Sequence, residues 1–166
     1  MAAGKTTIGR KLARNLGWQF QDTDAIVVSE HGPVAEIFAA HGEPAFRAYE
    51  SAAIERALAA ERASVIAFGG GALTNDANRA RVDASAHSVF LKLSPERILI
   101  RMQSGARPRP MLGPRPTLDR IRSLYEARLA HYERADHTVD TDHLSDRAIV
   151  ENILAWLHEK KIALPR

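Results

Sequence analysis

The sequence predicts one α/β domain built on a central parallel sheet, on two observations. Strand-like apolar runs alternate with helix-like periodic segments along the chain, the pattern of parallel strands joined by helices. Glycine-rich segments also stand where open α/β sheets bind ligands. One heads a helix, at Gly4-Lys5-Thr6-Thr7, and one directly follows an apolar run, at Gly69-Gly70-Gly71. At 166 residues the chain suits a single domain, residues 1–166, with a core of its own. It contains no internal repeat or linker.

The elements are taken in order. Ile8, Leu12 and Leu16 recur at helical spacing, with Gly17 as a stop. Residues 18–20 read as a short strand running into Asp22-Thr23-Asp24. Helical patterns follow over 24–30, 33–40 and 43–60. Residues 64–68 form an apolar run that stops at the three glycines, and 88–93 form another. Ser94-Pro95-Glu96 then reads as an N-cap with proline in the first turn. Residues 104–116 hold Gly105, Gly113, four prolines and three arginines. That stretch is unsuited to regular helix and is expected to be a mobile loop. Thr117 opens a helix reaching about residue 135, 137–140 is a last short strand, and Ser145 caps a final amphipathic helix.

Composition narrows the function classes. The absence of cysteine excludes disulfide frameworks, thiolate metal sites and cysteine nucleophiles. No apolar run approaches the ~20 residues of a membrane helix, and the chain begins without a signal-peptide pattern. A cytoplasmic monomer is therefore expected. The net charge of +3 comes from dispersed Lys and Arg residues, which suit anionic small molecules as well as nucleic acid. No aromatic–basic repeat supports a nucleic-acid module, and no G-x-S-x-G segment supports a serine hydrolase. The seven histidines have no metal-site spacing and read as surface residues.

Gly4-Lys5-Thr6-Thr7 is the end of a Walker A pattern. In such a loop, backbone N–H groups hold phosphate oxygens, the lysine reaches the outer phosphates, and the following hydroxyl ligates magnesium. The same fragment is also compatible with the plain start of a helix. Asp22 and Asp24 lie where a strand should end. Two carboxylates there suit magnesium ligation or acceptance of a hydroxyl proton, although Asp24 also reads as the N-cap of the next helix. Three consecutive glycines let a ligand approach the backbone closely. Arg47, Arg101, Arg107, Arg109 and Arg128 are candidate anion binders, since the guanidinium fork suits carboxylate and phosphate. Arg109 lies in the proline-rich loop, and Glu50 is placed to hold Arg47.

Taken in order, these segments resemble the shikimate kinase family over essentially the whole chain. The matching stretches are M-A-A-G-K-T-T-I-G-R at 1–10, D-T-D at 22–24, I-F-A-A-H-G-E-P-A-F-R at 37–47, G-G-G at 69–71, R-P-M-L at 109–112, R-L-A-H-Y at 128–132 and V-D-T-D at 139–142. The resemblance implies a three-layer α/β sandwich of P-loop kinase type. It further implies transfer of the γ-phosphoryl group of ATP to the 3-hydroxyl of shikimate, with Mg2+.

It assigns roles residue by residue. Gly4, Lys5, Thr6 and Thr7 would form the phosphate site, with Lys5 on the β/γ-phosphates. Thr6 would ligate magnesium, and Asp22 would contact the metal through water. Asp24 would hold the substrate hydroxyls and take the proton. Arg47 and Arg128 would pair with the carboxylate, Gly69, Gly70 and Gly71 would offer backbone donors, and Phe38 and Phe46 would line the apolar side. Arg109 would close over the phosphates with the loop, and Arg101 would lie near adenine.

Departures from the family pattern carry expectations of their own. Ala2 stands where the family usually has glycine, Phe68 where a smaller residue is usual, and Met111 in place of leucine. Residues 143–146 lack the arginine and proline often found near adenine. The family's first central strand, which precedes the phosphate loop, is absent from the chain. The natural protein is therefore expected to begin upstream of Met1, and residues 1–166 alone to be poorly stable and nearly inactive. The alternatives are a gluconate-type sugar-acid kinase and a catalytically inactive nucleotide-binding domain. The D-T-D, F-R and G-G-G set favours a site for a carboxylated polyol ring over the former.

Overall fold

Side-chain caps set most of the helix starts. The computed structural model describes residues 2–104 and 117–162. Its elements in chain order are α1 (Lys5–Leu16), β1 (Gln19–Asp22), α2 (Thr23–His31), α3 (Val34–Leu58), β2 (Ser64–Ala67), a 3₁₀ turn (Ala72–Thr74), α4 (Asp76–Ser85), β3 (Val89–Lys92), α5 (Pro95–Gln103), α6 (Leu118–Tyr132), β4 (His137–Asp140) and α7 (Asp146–Glu159). Asp22, Asn75, Ser94, Thr117 and Ser145 each accept a first-turn backbone N–H through the side chain, satisfying donors that have no partner inside the helix.

Two details depart from the sequence reading. The cap of α2 is Asp22 and not Asp24, because the Asp22 Oδ1 accepts from Asp24 N and Ala25 N at 3.1 and 3.3 Å. Asp24 is thereby left inside the first turn. The segment after Gly71 also forms a 3₁₀ turn and α4, where the reading placed no element. Val82 is the sole large aliphatic residue in α4, so no apolar periodicity announces that helix. The expected break between residues 40 and 43 is a kink inside α3, at Gly42 with φ 75° and ψ 177°.

The described residues group into two compact units. In Thr6–His87, β1 and β2 pair in parallel, from Gln19 opposite Ser64 to Asp22 opposite Ala67. Their C-terminal ends therefore deliver Asp22-Thr23-Asp24 and the glycine turn side by side. Helix α1 packs closely on β1: a Cβ on Gly9 would stand 2.6 Å from the Phe20 ring. Val27, Ile37, Phe46 and Ala53 make one apolar cluster, and Ile54, Ala72 and Val82 another. The same residues that bury the core faces of α2 and α3 thus fix the helix carrying Arg47.

In the second unit, Ser88–Ile162 with residues 2–5, β3 and β4 pair in parallel from Val89 opposite His137 to Lys92 opposite Asp140. Leu93, Ile98, Ile121, Tyr125 and Ala3 form its core cluster, and α7 buries Ile149, Val150, Ile153, Trp156 and Leu157. The connections around these strands are held by side chains. Asp136 accepts from the backbone N and the hydroxyl of Ser88 at 2.7 and 2.9 Å. The Ser94 N–H donates to Asp142 at 2.8 Å.

Candidate active site

The phosphate-loop fragment enters α1 directly. Lys5 is the first helical residue, and Thr6 and Thr7 fill the first turn, so their N–H groups belong to the unpaired set at a helix N-terminus. Ala2 adopts φ 47°, a conformation costly for any residue with a Cβ and one that glycine would take without strain. The Arg101 guanidinium donates from Nη1 to the Ala2 carbonyl at 3.2 Å. It is thus engaged with the backbone of this segment.

Thr6 and Asp22 meet. The Thr6 hydroxyl donates to Asp22 Oδ2 at 2.7 Å, while Oδ1 of the same carboxylate caps α2. One hydroxyl and one carboxylate form a hard-oxygen pair suited to Mg2+, which commonly takes one or two protein ligands and completes its shell with water and phosphate oxygens. The residues present fit that ion.

Asp24, Arg47 and Glu50 converge on the glycine turn. An ideal Cβ on Gly69 would lie 2.5 Å from Asp24 Oδ1 and 2.6 Å from Glu50 Oε1, and one on Gly71 would lie 2.7 Å from Arg47 Nη1. Neither glycine has a positive φ. Glycine is required here because charged side chains occupy the space of a Cβ, and not because the backbone is left-handed.

Arg47 is itself tightly held. Its Nη1 donates to Glu50 at 2.9 Å, and its Nε and Nη2 donate to Glu43 at 3.2 and 2.9 Å. These bonds take three of its five N–H donors. Burial works against its charge, but the bonds to Glu50 and Glu43 outweigh burial and hold its pKa above the ordinary arginine value. Glu50 is only 2% exposed, so Arg47 is the charge partner that permits its burial. The Phe46 ring lies 5.4 Å from the guanidinium and packs with Phe38 at 5.0 Å between ring centres. An apolar ring pair therefore flanks the Arg47 guanidinium.

Thr6, Asp22, Asp24, Arg47, Gly69, Gly70 and Gly71 thus lie in one unit, and among them the named contacts tie Thr6 to Asp22 and set Asp24 and Arg47 against the glycine turn. Arg101 and Arg128 belong to the other unit. There Arg128 is buried and hydrogen-bonds to Tyr132; burial raises the Tyr132 pKa against the opposing pull of Arg128. Arg107 and Arg109 and the loop 105–116 lie outside the described residues.

One expectation needs refinement, and one residue is new. The Gly69 N–H donates to Thr23 Oγ1 at 3.1 Å, so this glycine is not a backbone donor for a ligand in this arrangement; its part is to make room for Asp24 and Glu50. Glu43, the second partner of Arg47, was missed. Its signal was present in the i,i+4 spacing to Arg47.

Comparisons with known proteins point one way. The family model described as Shikimate kinase matches residues 1–158. Shikimate kinase of Symbiobacterium thermophilum is 40% identical over 164 residues, covering 96% of this chain and 93% of that protein. Shikimate kinase of Moorella thermoacetica is 41% identical over 162 residues, covering 95% and 92%. Among solved structures, shikimate kinase from Acinetobacter baumannii in complex with shikimate matches with TM-score 0.89 and 31% identity over 98% of this chain and 91% of that one. The Bacteroides thetaiotaomicron shikimate kinase matches with TM-score 0.85 and 30% identity, over 98% and 94%. The α/β architecture is therefore that of P-loop kinases.

Proposed function

The chain belongs to the shikimate kinase family, and from that premise we infer that it transfers the γ-phosphoryl group of ATP to the 3-hydroxyl of shikimate. The observation that carries this reading is the convergence of Asp24, Glu50 and Arg47 on Gly69 and Gly71. An acid, a cation and a close backbone turn beside a phenylalanine pair suit a carboxylated polyol ring.

Each residue then has a defined part. Lys5 and the N–H groups at the head of α1 neutralise the β/γ-phosphates. Thr6 would ligate Mg2+ and Asp22 would contact it through water, a reading supported by their 2.7 Å contact; the ion, when bound, offsets charge on the phosphoryl oxygens. Asp24 orients the 3-hydroxyl and accepts its proton. The hydroxyl oxygen forms a bond to the γ-phosphorus, and the bond to the β-bridging oxygen breaks, releasing ADP. Arg47 and Arg128 pair with the substrate carboxylate, and Gly70 and Gly71 border the ring. Arg101 braces the phosphate segment next to adenine, and Arg109 neutralises the transferring group.

The test is turnover. With ATP, Mg2+ and shikimate a full-length form should release ADP and form a phosphorylated acid. Phosphorylation of gluconate and not of shikimate would overturn the reading.

A further inference from the structure

Thr23 is the middle residue of Asp22-Thr23-Asp24 and is fully buried, although its neighbours on both sides are the charged groups of the site. Its hydroxyl donates to the Ala67 carbonyl at 3.4 Å and accepts from the Gly69 N–H at 3.1 Å. One oxygen thus bridges the first turn of α2 to both ends of the step from β2 into the glycine turn. A buried hydroxyl is costly unless both its roles are used, and both are used here. Core packing alone would be met by valine, which has nearly the same shape.

The consequence lies in what each end carries. On the α2 side the next residue is Asp24, whose Oδ1 approaches the Gly69 Cα so closely that no Cβ would fit. On the β2 side Gly69 leads into Gly71, which packs against the Arg47 guanidinium. The spacing of the proposed base from the substrate-facing turn is therefore fixed through Thr23.

We propose that Thr23 is a positioning residue for the phosphoryl acceptor: its hydroxyl sets the separation of Asp24 from the Gly69–Gly71 turn without itself touching substrate. The proposal rests on the shikimate kinase reading above. Because misplacement by about 1 Å costs ~100-fold in a well-oriented reaction, a partial loosening should cost roughly tenfold.

The experiment compares wild type, Thr23→Val and Thr23→Ser in the full chain. In T23V, kcat/KM for shikimate should fall about tenfold, KM for ATP should stay within about twofold of wild type, and the Gly69 amide should exchange faster with solvent. T23S restores the hydroxyl and should return both shikimate kinetics and Gly69 protection to near wild type. Equal effects of T23V on ATP and shikimate, wild-type kinetics in T23V, or no rescue by T23S would overturn the proposal. An active wild type with an unaffected T23V sinks this inference alone. A full-length wild type inactive on shikimate sinks the functional reading and this inference with it.

Discussion

Gly69 and Gly71 are constrained differently although they stand two residues apart. A methyl group at Gly69 would meet two carboxylate oxygens, one on Asp24, the proposed base, and one on the buried Glu50, which Arg47 holds. At Gly71 it would meet the guanidinium of Arg47, the proposed carboxylate partner, which Glu43 and Glu50 hold in place. Gly69→Ala should therefore lower kcat for shikimate by ~100-fold. Gly71→Ala should mainly raise shikimate KM, with kcat near wild type. Steady-state kinetics on both variants checks this, and the reverse order of damage would refute it. Arg47→Ala and Arg128→Ala should each raise shikimate KM about 10- to 100-fold, since each removes a charge-assisted contact of roughly 1.5–3 kcal/mol. Melting curves taken alongside would separate lost binding from lost folding. The residue types at these positions were legible in the sequence. The division of labour among the three glycines was not, because it depends on which side chains cross from α2 and α3.

At the level of elements, caps and turns were the most legible features. Ser94, Thr117 and Ser145 were read as caps from residue type and position, and each accepts the expected backbone N–H. α4 went unread because it buries Asn78 and Arg79 beside Val82 in place of an apolar stripe. Arg79 is buried in an ion pair with Asp83 at 2.7 Å. The kink in α3 makes a prediction of its own. Gly42 at φ 75° and ψ 177° holds an essentially glycine-only conformation that costs a Cβ-bearing residue roughly 1–3 kcal/mol. Gly42→Ala should lower the melting temperature accordingly, and should also raise shikimate KM, because Phe46 and Arg47 leave the helix just beyond the kink. A melt unchanged by the substitution would show that α3 does not need this break. The start of α5 carries a pH dependence. Burial pushes the Asp142 carboxyl up, but the bonds from Ser94 outweigh it and leave its pKa below the ordinary aspartate value. A lowered carboxylate pKa stabilises the fold above that value and ceases to do so as pH falls through the folded value. The gap in melting temperature between wild type and Asp142→Ala should therefore narrow as pH falls through and below the ordinary aspartate range. A gap independent of pH would assign the effect to packing.

For the molecule as a whole, two anionic ligands must bind a chain whose net charge is only +3, so local arrangement has to do what bulk charge does not. In the proposed roles, Lys5 and the N–H groups at the head of α1 would meet the nucleotide and Arg47 the substrate carboxylate, and salt should weaken both ligands together. Binding can be read without turnover, and this separates an enzyme site from a domain that merely holds nucleotides. A ligand present at about 100 times its Kd adds roughly 2.7 kcal/mol to stability. For a chain of this size that corresponds to about 5–10 °C in melting temperature. ATP with Mg2+ should give such a shift, and shikimate alone should give one too. In Arg47→Ala the shikimate shift should largely vanish while the nucleotide shift persists, because Arg47 contacts the acceptor turn and not the phosphate segment. A nucleotide shift with no shikimate shift in wild type would favour a non-catalytic nucleotide-binding domain. Loss of both shifts in Arg47→Ala would mean that this arginine supports the fold generally, and its assignment to the substrate carboxylate would then be wrong.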